Sequence, residues 1–168
     1  MAFGIVKLFN GKEYANESKP TELDSYRLFD LGEQYLNKGD VERAASCFRK
    51  SAELGNVEAQ RNLGDCYFWG EGIKEDKQKA VKWYRLAAEQ GNAEAQRLLG
   101  DCYYFGEGIM EDKREAVKWY RLAAEQGNAE AQKDLADCYK SLGYCYYFGE
   151  GIMEDKREAV KWYRLAAE

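Results

Sequence analysis

The sequence predicts an all-α fold, an α-solenoid (superhelix) of stacked antiparallel helix pairs. A 36-residue unit recurs along the chain. Residues 57–92 read VEAQRNLGDCYFWGEGIKEDKQKAVKWYRLAAEQGN, and residues 93–128 read AEAQRLLGDCYYFGEGIMEDKREAVKWYRLAAEQGN. Each unit holds two segments with apolar residues at helical spacing, separated by a glycine-rich loop. Neither segment can bury its stripe alone, so neighbouring units must stack before the core becomes continuous.

The elements follow in order. Residues 1–24 stand outside the repeat: an apolar run from Phe3 to Phe9, an Asn10-Gly11 turn signal and the sole proline, Pro20. Both a free arm and a docked cap fit that composition. Residues 25–56 form a first helix pair resembling an ordinary tetratricopeptide unit. Its loop, Asn37-Lys38-Gly39-Asp40, is four residues shorter than the Gly-Glu-Gly loops that follow. Leu31, Leu63, Leu99 and Leu135 are successive equivalents, spaced by 32, 36 and 36, and Ala44, Ala80 and Ala116 keep the same beat.

In the unit 93–128, Ala95, Leu99, Cys102 and Tyr103 build the stripe of the first helix. Gly106 and Gly108 break it. Asp112 is the expected N-cap of the second helix, with Glu115 completing a capping box. That helix buries Ala116, Trp119, Tyr120 and Ala123, and Gln126-Gly127-Asn128 ends it on a left-handed glycine.

The unit 129–168 departs from the pattern. LADCYKS (135–141) is followed by LGYCYYF (142–148), so one heptad is written twice. Seven residues turn an ideal helix by about 700°, roughly 20° short of two turns. Leu135 and Leu142, Cys138 and Cys145, and Tyr139 and Tyr146 therefore share a face, on a helix lengthened by about 10 Å. Asp134, Lys140 and Ser141 replace Leu98, Tyr104 and Phe105, changes that suit a capping helix facing water. Cys145 to Glu168 then repeats Cys102 to Glu125 without a difference. Drift erodes identity, so this copy points to consensus design or a very recent duplication, with design favoured.

Composition excludes several functions. The formal net charge is −5 and no basic run exceeds two residues, which argues against a nucleic-acid surface. No apolar stretch reaches the roughly 20 residues of a membrane span. Histidine is absent, which removes the commonest general base and metal ligand, so neither catalysis, metal nor cofactor is expected. Five cysteines, an odd number without a secretory signal, imply reduced thiols and a cytoplasmic location.

The strings A-x-A-Q-x-x-L-G-x-C-Y, G-E-G and A-V-K-W-Y-R-x-A-A-E-x-G-N resemble the Sel-one-like repeats, a branch of the tetratricopeptide superfamily. They occupy residues 57–128 twice over and return in altered form to Glu168. The resemblance implies a superhelical scaffold with a concave face for peptides or partner proteins, and no catalytic residues. Some secreted relatives staple each repeat with a cysteine pair; one cysteine per unit here implies that this logic does not transfer.

Two contact surfaces are expected. Glu33, Asp65, Asp101 and Asp137 occupy equivalent positions on the first helices, away from the buried stripe. They form an acidic ladder beside Trp69 and Phe105, suited to a basic, partly apolar peptide. Ala159, Trp162, Tyr163 and Ala166 on the last helix form a stripe with no following repeat, which a second copy of the chain would cover. The function expected is a protein-binding adaptor, with a self-assembling building block as the alternative.

Overall fold

The computed structural model describes residues 22–167. They form eight α-helices: α1 (Glu22–Asn37), α2 (Val41–Glu53), α3 (Val57–Trp69), α4 (Lys77–Glu89), α5 (Ala93–Phe105), α6 (Lys113–Glu125), α7 (Ala129–Phe148) and α8 (Lys156–Leu165). Consecutive helices pack into hairpins, and each hairpin packs on the next through its second helix. The readings that fall on residues 1–21 lie outside the described residues.

The caps come from two residue types. Asn56, Asn92 and Asn128 start the later first helices, each accepting a hydrogen bond from the backbone N–H three residues on. Asp40, Asp76, Asp112 and Asp155 do the same for the second helices. Each such cap contributes about 1 kcal/mol. The expected capping box at Asp112 does not close. Its backbone N–H donates to the Tyr103 carbonyl at 2.8 Å, tying the loop back to α5, while Glu115 pairs with Lys118.

The two helices of a hairpin meet at a glycine that the sequence reading passed over. A Cβ on Gly64 would lie 2.4 Å from the Tyr84 ring, one on Gly100 2.6 Å from Tyr120, and one on Gly143 2.7 Å from Tyr163. The tyrosine ring thus occupies the space a side chain would need, and the helices approach more closely than any other residue permits.

Gly143 also shows how α7 is used. Its close approach to Tyr163 falls in the second copy of the heptad, so the second half of α7 pairs with α8. The first half packs on α6. There Tyr139 accepts from Arg121 at 2.8 Å, as Tyr103 accepts from Arg85 at 2.8 Å one repeat earlier. The shared face is as expected for Cys138, Tyr139, Leu142 and Tyr146, which are all buried. The first half does not simply face water, however. Asp134 is half-buried, 3.6 Å from Arg97, while Lys140 is exposed and pairs with Asp137 at 2.9 Å.

The glycine-rich loops of the second and third repeats each have a seat on the preceding repeat. A Cβ on Gly72 would lie 2.1 Å from the Val41 carbonyl oxygen, and one on Gly108 2.3 Å from that of Lys77. Glu107, beside Gly108, pairs with the Lys77 ammonium at 2.7 Å. In the fourth repeat this seating is lost. A Cβ on Gly151 would meet nothing within 4 Å, and Lys113, the counterpart of Lys77, pairs with Glu111 of its own loop. The added heptad raises the loop by about 10 Å. A cleft of about 540 Å³ opens between it and the start of α6.

Candidate functional site

The first helices present two pockets on one face. One, of about 280 Å³, lies between α1 and α3 and is lined by Glu33, Leu36, Arg61, Asn62, Asp65 and Glu71 among others. The next, of about 310 Å³, is lined by Trp69, Arg97, Leu98, Asp101, Phe105 and Asp134. Glu33, Asp65, Trp69, Asp101 and Phe105, read from the sequence as one surface, are therefore brought to this face. Asp137 is not: its side chain stands 71% exposed beside Lys140 and lines neither pocket.

The carboxylates are more committed than the sequence implied. Asp65 accepts from the Tyr84 hydroxyl at 2.8 Å and from Arg61 at 2.7 Å. Asp101 accepts from Tyr120 at 2.7 Å and from Arg97 at 2.8 Å. Rather than lying away from the core, each links the two helices of its hairpin. The reason is local. The tyrosine ring lies on Gly64 or Gly100, and its hydroxyl then meets the next residue, Asp65 or Asp101. Glu33 accepts from Asn62 at 2.9 Å, joining α1 to α3.

The second pocket carries an excess of negative charge. The Arg97 guanidinium serves Glu94 and Asp101, each within hydrogen-bond distance, with Asp134 at 3.6 Å. Three carboxylates thus share one cation. Burial raises the pKa of Asp101 above the usual aspartate value, against the lowering effect of Tyr120 and Arg97, and the Asp134 charge adds to the rise. Asp134 is itself raised, first by burial. Trp69 and Phe105 flank this charge at 67% and 65% exposure, each set edge-on against the preceding aromatic, Phe68 or Tyr104.

The exchange of Leu98 for Asp134, read from the sequence as a change toward water, instead lies in the second pocket and distinguishes it from the first. Asn62, Leu98 and Asp134 are equivalents, one repeat apart, and each lines a pocket. The signal was present as variation at this position, Asn62, Leu98 and Asp134, among units that otherwise keep the same motifs.

The expected self-association stripe is only partly open. Ala159 is fully buried, Trp162 packs on Tyr139 with ring centroids 5.8 Å apart, and Ala166 is half-buried. Tyr163 is 40% exposed and its neighbour Val160 48%, whereas their α6 counterparts Tyr120 and Val117 are at 2% and 4%.

Little in the described residues resembles a reactive centre. No group of three or more Cys, Asp or Glu there could hold a metal ion. Burial pushes the thiols of Cys66 to about 11 and of Cys102 and Cys138 to about 12, far from the thiolate a nucleophile requires. No helix among the described residues is long and apolar enough to cross a membrane.

A profile of the Sel1 repeat matches residues 27–56, 57–92, 93–128 and 129–168, in register with the four hairpins. The chain belongs to the Sel1 repeat family. Its fold is similar to that of c5321, a protective antigen of uropathogenic Escherichia coli strains with an SLR fold, at a TM-score of 0.64 and 37% identity. That match covers 87% of this chain and 31% of the other. A Sel1 repeat protein from Oxalobacter formigenes gives a TM-score of 0.64 and 35% identity over 86% of this chain and 58% of its own. The chain thus spans about a third of the first of these Sel1 relatives and less than two thirds of the second. Helicobacter pylori cysteine rich protein B shares the fold, with a TM-score of 0.57 and 24% identity over 66% of this chain and 89% of its own. Among curated proteins no sequence matches. Sel1 repeat proteins are in general protein-interaction scaffolds, and their fold is typically non-enzymatic.

Proposed function

We propose that this chain is a non-enzymatic adaptor whose first-helix face takes a basic, partly apolar peptide. The observation that carries this reading is the second pocket, where surplus carboxylate surrounds Arg97 between two exposed aromatic rings, Trp69 and Phe105. A lysine or arginine would find negative charge there, and its aliphatic stem or an adjacent apolar side chain would cover the rings.

Asp65 and Asp101 are poor sites for a test, because each also holds a tyrosine of its own hairpin. Trp69→Ala, Phe105→Ala and Asp134→Leu are cleaner, the last restoring the residue found one repeat earlier. Titration calorimetry with a Lys/Leu-rich peptide and its Glu/Leu counterpart should show preference for the basic one. Each variant should weaken that binding about tenfold, or about 1.4 kcal/mol. Equal affinity for both peptides, or no loss in any variant, sinks the reading. The raised Asp101 and Asp134 set the sign of the pH dependence. Protonation removes the attraction, so affinity falls with falling pH, and the fall begins above the ordinary aspartate range.

A second reading, self-assembly through α8, is favoured by Val160 and Tyr163. They expose the face that their α6 counterparts bury. Here Val160→Glu should lower the mass measured by light scattering; a chain monomeric at every concentration disposes of it.

A further inference from the structure

The outer face of the first hairpin is apolar where the repeats beyond it are polar. Gln60 and Gln96 donate to the Ala52 and Ala88 carbonyls of the preceding helix. Each also accepts from a glutamine of its own hairpin, Gln90 or Gln126. In the first hairpin both partners are leucine, Leu28 in the place of Gln60 and Leu54 in the place of Gln90. Leu31 adds to this face. Its counterparts Leu63 and Leu99 are fully buried, clustered with the second helix of the preceding repeat, whereas Leu31 is 38% exposed. A terminal repeat that faces water carries polar residues on its outer side, and this one does the reverse. The three leucines line a hollow of about 580 Å³, rimmed by Asp24, Arg27, Lys50 and Glu53.

The hollow is not shaped for another repeat. Ala59, Ala95 and Ala131 are fully buried where a second helix crosses the first helix of the next repeat. The equivalent residue of α1 is Arg27, its side chain 71% exposed. A helix laid over α1 as α2 lies over α3 would meet a guanidinium where the other repeats admit only a methyl group. The α8 of a second copy is such a helix, so the same argument stands against head-to-tail stacking. The rim holds two charges of each sign, so charge selects no partner and apolar fit decides.

The chain itself supplies that fit. Phe3 to Phe9 reads FGIVKLF, five large apolar side chains in seven residues. Residues 10–21 join this run to Glu22, and twelve residues can span about 40 Å. The hollow is nearer than that, since Leu31 lies about 14 Å along α1 from Glu22. We propose that the run Phe3–Phe9 folds back into this hollow and caps the first hairpin, covering Leu28, Leu31 and Leu54. It uses neither peptide pocket and leaves α8 free. A tethered segment acts at roughly millimolar effective concentration, so weak apolar contact suffices.

The test is hydrogen exchange of the α1 amides, followed by mass spectrometry. The double variant Ile5→Asp/Leu8→Asp should raise α1 exchange about tenfold and leave α5 and α6 unchanged. Leu31→Asp should raise it similarly, and combining all three substitutions should add nothing further. A peptide of residues 1–12, supplied at about 1 mM to match the tether, should restore protection to the double variant and not to Leu31→Asp. That restoration decides the matter even if Leu31→Asp fails to fold. Exchange of α1 that is indifferent to the double variant, or to the added peptide, overturns the proposal. So does an effect of the double variant that adds in full to that of Leu31→Asp. Protection that rises with chain concentration and ignores the run also overturns it, and means that a second copy covers the hollow.

Discussion

The junction between the second and third repeats and that between the third and fourth use the same residue types with opposite results. At the first, Gly108 presses on the Lys77 carbonyl and Glu107 holds the Lys77 ammonium. At the second, Gly151 meets nothing and Lys113 turns to its own loop. Cys145 to Glu168 copies Cys102 to Glu125 without a difference, so composition cannot account for the contrast. The position of the loop along the stack accounts for it. What a repeat residue contributes is therefore a property of the interface it reaches, not of the repeat that carries it.

The sharpest way to break this comparison is a pair of glycine substitutions. Both Gly108 and Gly151 sit at positive φ, 70° and 71°, so alanine strains either backbone by about 1–2 kcal/mol. Only at Gly108 does the new Cβ also collide with a carbonyl, at 2.3 Å. Gly108→Ala should therefore cost about 3 kcal/mol or more, and Gly151→Ala no more than the backbone strain. Urea midpoints on the two variants measure the difference, and equal shifts would mean that the loop seat contributes nothing.

A smaller effect should separate the tyrosines. Tyr120 donates to the half-buried Asp101, so Tyr120→Phe leaves a carboxylate short of a donor and should cost about 2 kcal/mol. Tyr163 stands over Gly143, where the following residue is Tyr144 instead of an aspartate. Tyr163→Phe should stay within about 0.5 kcal/mol of wild type by the same denaturation assay. The least of the three is the ion pair. Glu107→Gln should lose about 0.5 kcal/mol of thermal or urea stability, since both partners are about one-third exposed. Glu150→Gln should change the stability of the monomer by an amount too small to measure.

Much of this was legible in the sequence because it depends on local spacing. The 36-residue beat, the left-handed Gly106 and Gly108, the aspartate caps and the phase of the duplicated heptad all follow from residues a few positions apart. The role of Asp65 and Asp101 did not. It depends on a tyrosine nineteen residues away landing on a glycine one position earlier, which is a fact of hairpin packing. The signal was nevertheless present: Gly-Asp pairs with a later Tyr in the second and third units, and Gly143 is followed by Tyr144 in the fourth. Asp134 was read as facing water for a similar reason, since Arg97 lies on a neighbouring helix. The cleft over Lys113 was out of reach because it is made by the absence of a contact that only the other repeats reveal.

The duplicated heptad has the character of a dislocation in a crystal. It shifts everything beyond it by a fixed translation, and it nearly preserves the orientation and internal order of each layer. Such a defect is cheap where it occurs, because the apolar face of α7 stays in phase through it. Its effect is felt along the whole line that it cuts. A ligand running along the first helices would still find Asp134 of α7 beside Asp101 of α5, and only past that point would α7 extend about two helical turns beyond its neighbour.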